Sequence, residues 1–319
     1  MTKPWVEEVE RHISYWSGRL SNHGWWARHV FHYTDVNNAA RILESGRLLS
    51  RAQIEREDTE FVDGACRSVI HHTLAAHKQF VRFYYRPRTP TQYRNEGIRP
   101  PEDRWEEAHC PVPVFFLFDA LDTMARDDAQ YSNGNMGSGD VSYGPGRDDF
   151  LAIPFTKVFH DGTFDPHANP EIIFHRNAEL LIPGEMDLSG LRWIACRSHG
   201  ERSTLMHRMS PAARIRWGNA VRVGDSSLFQ KEWTFVDRVE IGERRFVFHF
   251  NPNSKCSRNL RSRVVLVRPD GTVAEIENEL SPRGKYTITL SEDYPFLNVS
   301  LFLEDSLAYA NQLTFNDLL

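Results

Sequence analysis

The sequence predicts an α+β domain followed by a small all-β, sandwich-like domain, and three observations support this. Up to about residue 222, short apolar runs of strand length alternate with helix-patterned segments. From about residue 226 onward the chain turns into short strands separated by turn signals. The length, 319 residues with 40% hydrophobic content, is enough to bury one large or two modest cores. The expected division is an N-terminal helical extension over 1–28, the mixed domain over 29–222 and the β-rich domain over 223–319.

In chain order, Val6, Val9, Ile13, Trp16 and Leu20 recur at spacings of three and four, which places them on one stripe of a helix beginning after Pro4. Val30 to Tyr33 reads as a strand, and Asn37 to Ser45 as a helix with an asparagine cap and Gly46 as its stop. Asp63 to Lys78 predicts another helix, followed by a strand from Phe80 to Tyr85 that Pro87 and Pro90 end. Val112 to Phe118 is almost wholly apolar, as a strand covered on both faces would be, and Asp119 can cap a helix over Ala120 to Asp127. Tyr131 to Gly146 is rich in Gly, Ser and Asn and predicts a long mobile loop without regular structure. Strands are expected at Glu179 to Ile182 and Leu191 to Cys196.

The last domain should carry strands at Trp233 to Ile241, Phe246 to Phe250, Val264 to Val267, Val273 to Ile276, Tyr286 to Leu290 and Leu297 to Leu303. Leu297, Val299, Leu301 and Leu303 alternate with more polar neighbours, so that strand should bury one face.

Composition narrows the function classes. A formal charge of −5 argues against a surface that is basic all round, so any nucleic-acid contact must be local. Cys66, Cys110, Cys196 and Cys256 are widely spaced, and His71, His72 and His77 have no carboxylate or cysteine partner at ligand spacing, so no metal is expected. Glu7, Glu8 and Glu10 stand where a signal peptide needs an apolar stretch, and no run is long enough to span a membrane, so a cytoplasmic protein is expected.

Two segments invite a chemical reading. His32 and Thr34 point the same way from one strand, which fits either an ordinary strand end or a polar pair that hydrogen-bonds a nucleotide. In and just after Phe80 to Tyr93, arginines at 82, 86, 88 and 94 are interleaved with Tyr84, Tyr85 and Tyr93, combining phosphate-neutralising groups with stacking faces suited to a single-stranded nucleic acid.

Four blocks, in order, resemble the DarT family of NAD-dependent ADP-ribosyltransferases. They are Phe31-His32-Tyr33-Thr34 through Asn38 to Leu49, an arginine at 67, the run Phe83 to Tyr93, and Ala178-Glu179-Leu180-Leu181-Ile182. The run is similar to the family's F-Y-F-x-P-R-x-P-M-x-Y signature but has Thr91 and Gln92 after Pro90, where the family usually has Met and an apolar residue.

The resemblance implies an ADP-ribosyltransferase fold of split mixed sheets and helices. It implies NAD as the ADP-ribose donor, held by His32, Thr34, Asn38 and Arg67. Glu179 and Arg67 would be catalytic, Arg67 pairing with the diphosphate and helping to hold the leaving nicotinamide; Arg51, Arg56 and Arg82 remain alternatives for that arginine. Tyr84, Arg86, Arg88 and Tyr93 would contact a single-stranded DNA or RNA acceptor, with thymine in DNA favoured.

The resemblance also implies a cognate antitoxin, in a toxin-antitoxin or phage-defence role; the C-terminal domain, from its separate strand-rich texture alone, is expected to bind a partner such as an antitoxin, a chaperone or a phage component. The rival readings are transfer to RNA bases, a protein-modifying transferase or NAD glycohydrolase, and a non-catalytic binding module.

Overall fold

The computed structural model describes residues 2–59, 61–62 and 75–315. Helix α1, Val6–Arg19, buries Val9 and Trp16, and Trp5 ahead of it stacks on Phe150. A mixed sheet follows, built from β1 (His29–Asp35), β3 (Phe80–Tyr84), β4 (Pro113–Asp119), β5 (Gln130–Ser132), β6 (Tyr143–Gly144), β7 (Glu179–Pro183), β9 (Leu191–Cys196) and β10 (Val221–Val223). The spatial order of its eight strands is β10-β9-β4-β1-β3-β7-β5-β6. Only β9 and β10 run parallel; the other pairs are antiparallel. A separate ribbon pairs β2 (Arg47–Leu49) with β8 (Glu185–Asp187). As its apolar sequence predicts, β4 is buried along nearly its whole length.

Helix α2, Val36–Ser45, is capped by Asp35 and not by an asparagine: the Asp35 carboxylate accepts the Asn37 N–H at 2.9 Å. Asp35 is the last extended residue before the turn, which is where a cap must stand. Gly46 ends the helix with φ +71, a left-handed conformation that glycine adopts without strain. Most of the helix expected over Asp63–Lys78 lies outside the described residues; Ala75–Gln79 forms a 3-10 turn. The helix after Asp119 is shorter than expected, Ala120–Met124.

The stretch from Tyr131 to Gly146 departs from the expected loop. Its two ends pair as β5 and β6, and β5 continues the sheet beyond β7. Tyr131 is buried and its hydroxyl donates to the Met124 carbonyl, so one aromatic residue anchors a tract whose other residues resemble a linker.

The C-terminal module consists of a three-stranded sheet, β11 (Val236–Gly242), β12 (Arg245–Phe250) and β15 (Lys285–Thr289), and a four-stranded sheet in the order β14 (Val273–Leu280), β13 (Leu260–Val267), β16 (Phe296–Leu303), β17 (Ser306–Thr314). The predicted inward set Leu297, Val299, Leu301 and Leu303 is buried. β17 is an additional strand, beyond those expected from the sequence. It follows β16 through Glu304 and Asp305, both at positive φ (47° and 63°), a tight hairpin turn made without the glycine that usually marks one.

The module docks along the helix His199–Arg208. Ser198 Oγ donates to the Val236 carbonyl at 2.6 Å, and the Ala310 N–H donates to Thr204 Oγ1 at 3.1 Å. At Gly200 a Cβ would lie 2.7 Å from the Val236 carbonyl oxygen, so only glycine permits this approach. Arg197, buried in the same seam, pairs with Glu201 and with Glu96 at 3.3 Å and packs on the Phe235 ring. Leu228 and Phe229 fold back into the cluster containing Phe31 and Phe115, so packing of the first domain reaches past residue 222.

Candidate active site

The sheet has a weak join at its centre. Its two halves, β10-β9-β4-β1 and β3-β7-β5-β6, meet through the single register pair Phe31–Tyr84, whereas β1 and β4 pair along seven residues. Beyond that pair the His32 ring takes over from the ladder, Nδ1 lying 3.0 Å from the Arg82 carbonyl oxygen. A cavity of 320 Å³ opens here, lined by His32 and Thr34 of β1, by Asn38 of α2 and by Arg82 of β3. That volume is in the range of small-ligand sites. Among the described residues lining it, Arg41, Arg47, Arg51, Lys78 and Arg82 outnumber the one carboxylate, Glu57, although Glu185 pairs with Arg47 and Glu55 with Arg51 and Lys78, so a reduced excess of cations is left to meet an anionic ligand. Arg51 also sits over the Phe61 ring at the cavity wall.

Burial pushes the His32 pKa down, against the pull of its bond to the Arg82 carbonyl, so the ring is neutral near pH 7. A carbonyl can only accept, so Nδ1 carries the proton and Nε2 is left as an acceptor. Thr34 Oγ1 accepts from Asn38 Nδ2 at 3.2 Å. The Asn38 amide also bonds the backbone of Val62 in both directions, donating to its oxygen at 2.8 Å and accepting from its nitrogen at 2.9 Å. Asn38 therefore clamps the 61–62 segment to the cavity wall. Arg67 lies outside the described residues, as do His71 and His72.

Glu179 opens β7 and is buried, opposite Tyr84 of β3. Its N–H donates to Ser132 Oγ at 2.8 Å, and that hydroxyl donates to the Gly134 carbonyl at 2.9 Å, so a side chain fixes the backbone where the β5 ladder ends. Among the described residues the carboxylate Oε2 has no hydrogen-bond partner, and Arg82 Nη1 stands 3.7 Å from it. Burial raises the Glu179 pKa to about 7, with Arg82 and Tyr84 pulling it back. A buried carboxyl titrating near neutrality, with an uncommitted oxygen, is poised to exchange a proton.

The expected nucleic-acid track is only partly on the surface. Arg86 is fully buried: its guanidinium donates to the carbonyls of Pro87, Val158 and His160 and to Asp161 Oδ1 at 3.1 Å, and it sits 4.9 Å from the Trp26 ring centre. It pins the 158–161 segment and offers no donor to a phosphate, which corrects its reading as an acceptor contact. Arg88, at φ +56, donates to the Phe229 carbonyl at 3.2 Å. Tyr84 is half-buried beside Glu179, and Tyr93 is 52% exposed. The two departures from the family signature both bond to protein: Thr91 Oγ1 donates to Asn177 Oδ1 at 3.0 Å, and buried Gln92 donates to the Leu228 carbonyl at 2.8 Å.

Ser132 was not singled out in the sequence, because a serine in a Gly/Ser/Asn tract has nothing to distinguish it. Arg82 stood only as an alternative; its tie to Glu179 needs the β3–β7 register, which sets the two as diagonal neighbours on one face.

A family model described as "ssDNA thymidine ADP-ribosyltransferase, DarT" matches residues 31–225. No curated protein matches the chain. Among solved structures, DarT of Thermus sp. 2.9 in complex with NAD+ is similar at 15% identity over 61% of this chain and 92% of its own, with a TM-score of 0.46. The same protein with ADP-ribosylated ssDNA is similar at 15% identity over 63% and 96%, TM-score 0.49. Thermosipho africanus DarTG in complex with ADP-ribose is similar at 20% identity over 66% and 52%, TM-score 0.46. With the family model spanning well over half of the 319 residues, and with the cavity and Glu179 inside the matched span, the chain belongs to the DarT family of ADP-ribosyltransferases.

Proposed function

We propose that this chain transfers ADP-ribose from NAD to a base in single-stranded DNA, thymine in the first instance, and acts in the cytoplasm as a toxin restrained by a cognate antitoxin. The observation that carries the enzymatic part is Glu179, a buried carboxyl with a pKa of about 7 and a free oxygen, one arginine away from a cation-lined cavity.

In this reading the cavity holds NAD, its diphosphate meeting Arg41, Arg47 and Arg51 of the lining, while neutral His32 accepts a ribose hydroxyl through Nε2. The bond from the ribose anomeric carbon to nicotinamide breaks and nicotinamide leaves neutral. The carbon passes through an oxocarbenium-like state that a nearby carboxylate stabilises. A ring nitrogen of the base then bonds to that carbon, and its proton passes to ionised Glu179. Tyr93 and the half-buried Tyr84 offer stacking faces for the base and its neighbours.

The test is to incubate the purified chain with labelled NAD and single-stranded DNA, RNA or a protein extract. Label on DNA that disappears with Glu179→Ala, together with loss of toxicity on expression, is the expected result. Label on RNA alone would change the acceptor, and no label on any of the three would overturn the enzyme reading.

A further inference from the structure

We infer that Arg82 is a positioning residue that holds the Glu179 carboxylate and joins it to the cavity. The inference rests on the transferase reading above, but its geometry stands independently. Arg82 is the link between two groups on different strands. Its Nη1 lies 3.7 Å from Glu179 Oε2, its Nη2 donates to the His77 carbonyl at 3.0 Å, and its own carbonyl accepts from His32 Nδ1 at 3.0 Å. It also lines the cavity, which Glu179 does not.

His77 extends the chain of contacts. Its Nδ1 lies 2.9 Å from the Met136 carbonyl, so it donates there, and the guanidinium is thereby tied to the segment that follows Ser132 at the end of β5. One residue thus registers three elements: His32 on β1, Glu179 on β7 and the 133–142 segment.

Arg82 is also the charge that decides how Glu179 titrates. Among the described residues, the titratable groups facing Glu179 are Arg82 and Tyr84 of β3 and Tyr85 just after it. On the other side β5 brings Ser132, which does not titrate, and Tyr131, whose hydroxyl is committed to the Met124 carbonyl. Burial raises the carboxyl; among these neighbours the guanidinium is the one positive charge opposing it. Without Arg82 the carboxyl would hold its proton well above neutrality and could not accept one from an attacking base. An opposite charge at this range lowers a carboxyl by about one to three pH units, so removing it should move the midpoint up by at least about one.

The experiment uses the full chain with 13C-labelled glutamate side chains, Glu179 being identified by the signal lost in Glu179→Gln. The carboxyl is titrated in wild type, Arg82→Gln and Arg82→Lys, with Arg82→Met as a second neutral variant should the glutamine fail to fold. The neutral variants should raise the Glu179 midpoint by about one unit or more and Arg82→Lys should largely restore it. The acid limb of nicotinamide release should move with it, while NAD affinity changes less than about threefold. An unmoved midpoint overturns the inference, as does a loss of NAD affinity equal to the loss of rate, which would make Arg82 a substrate ligand. If the wild type releases no nicotinamide at all, the transferase reading falls, and the titration still decides the tie between Arg82 and Glu179.

Discussion

Glu179 and Glu201 are both buried carboxyls whose pKa burial pushes up, each beside an arginine, yet they are built for opposite purposes. Glu201 meets Arg197 through both of its oxygens, and Arg197 also reaches Glu96 and the Pro111 carbonyl, so the charges are satisfied and closed within the seam. Glu179 keeps one oxygen unbonded, with its arginine at 3.7 Å and part-exposed toward a cavity. A satisfied network specifies how two modules sit together; an unsatisfied carboxyl keeps its proton affinity available for chemistry.

The largest effect expected from breaking this contrast is in the seam. Arg197→Met would leave Glu96 and Glu201 buried without their cation and should cost about 3–5 kcal/mol of stability, read by urea unfolding. A loss below about 1 kcal/mol would mean that the two carboxyls tolerate solitude as Glu179 does, and the contrast would dissolve.

At Glu179 the sign reverses. Its folded pKa of about 7 lies above the ordinary 4.5, so the folded protein holds a proton that the unfolded chain gives up between those values. The stability it contributes is complete below the unfolded pKa and is lost as pH rises through 7. Glu179→Gln, which cannot ionise, should therefore match the wild type near pH 4 and exceed it at pH 8 by up to about 3 kcal/mol while transfer collapses. Equal unfolding curves at pH 8 would show that the carboxylate is better solvated than its burial indicates.

The smallest effect calibrates both. Asp35→Ala removes a helix cap remote from either carboxyl's chemistry and should cost about 1 kcal/mol without moving the Glu179 midpoint. A midpoint that moved would mean α2 transmits strain to β7.

How much of this was readable beforehand follows from what each signal depends on. Period-two burial is local, so the strand Phe296–Leu303 and its inward face were legible, as was the glycine ending α2. The strand Ser306–Thr314 was not, because its hairpin turns on two acidic residues at positive φ. Glu179 could be named only through a resemblance; its burial and free oxygen depend on strands far apart in sequence. Arg86 misled for a related reason. Arginine is nearly always solvated, and only the fold shows that carbonyls of the 158–160 segment and Asp161 converge on it. Ser132 sat in a tract whose composition predicted a loop, and nothing local marks a hydroxyl that will bond a backbone nitrogen 47 positions away.

The single Phe31–Tyr84 pair at the middle of the sheet has a mechanical consequence. A long ladder resists shear through every hydrogen bond along its length; a one-pair junction offers almost none of that resistance, each bond contributing only about 1 kcal/mol net. Beside that pair the halves are bridged by side chains: the His32–Arg82 hydrogen bond at 3.0 Å, Phe83 on Phe118 at 5.3 Å and His32 against Phe83 at 5.9 Å. The halves of the sheet are therefore held together at this point by side chains more than by a backbone ladder.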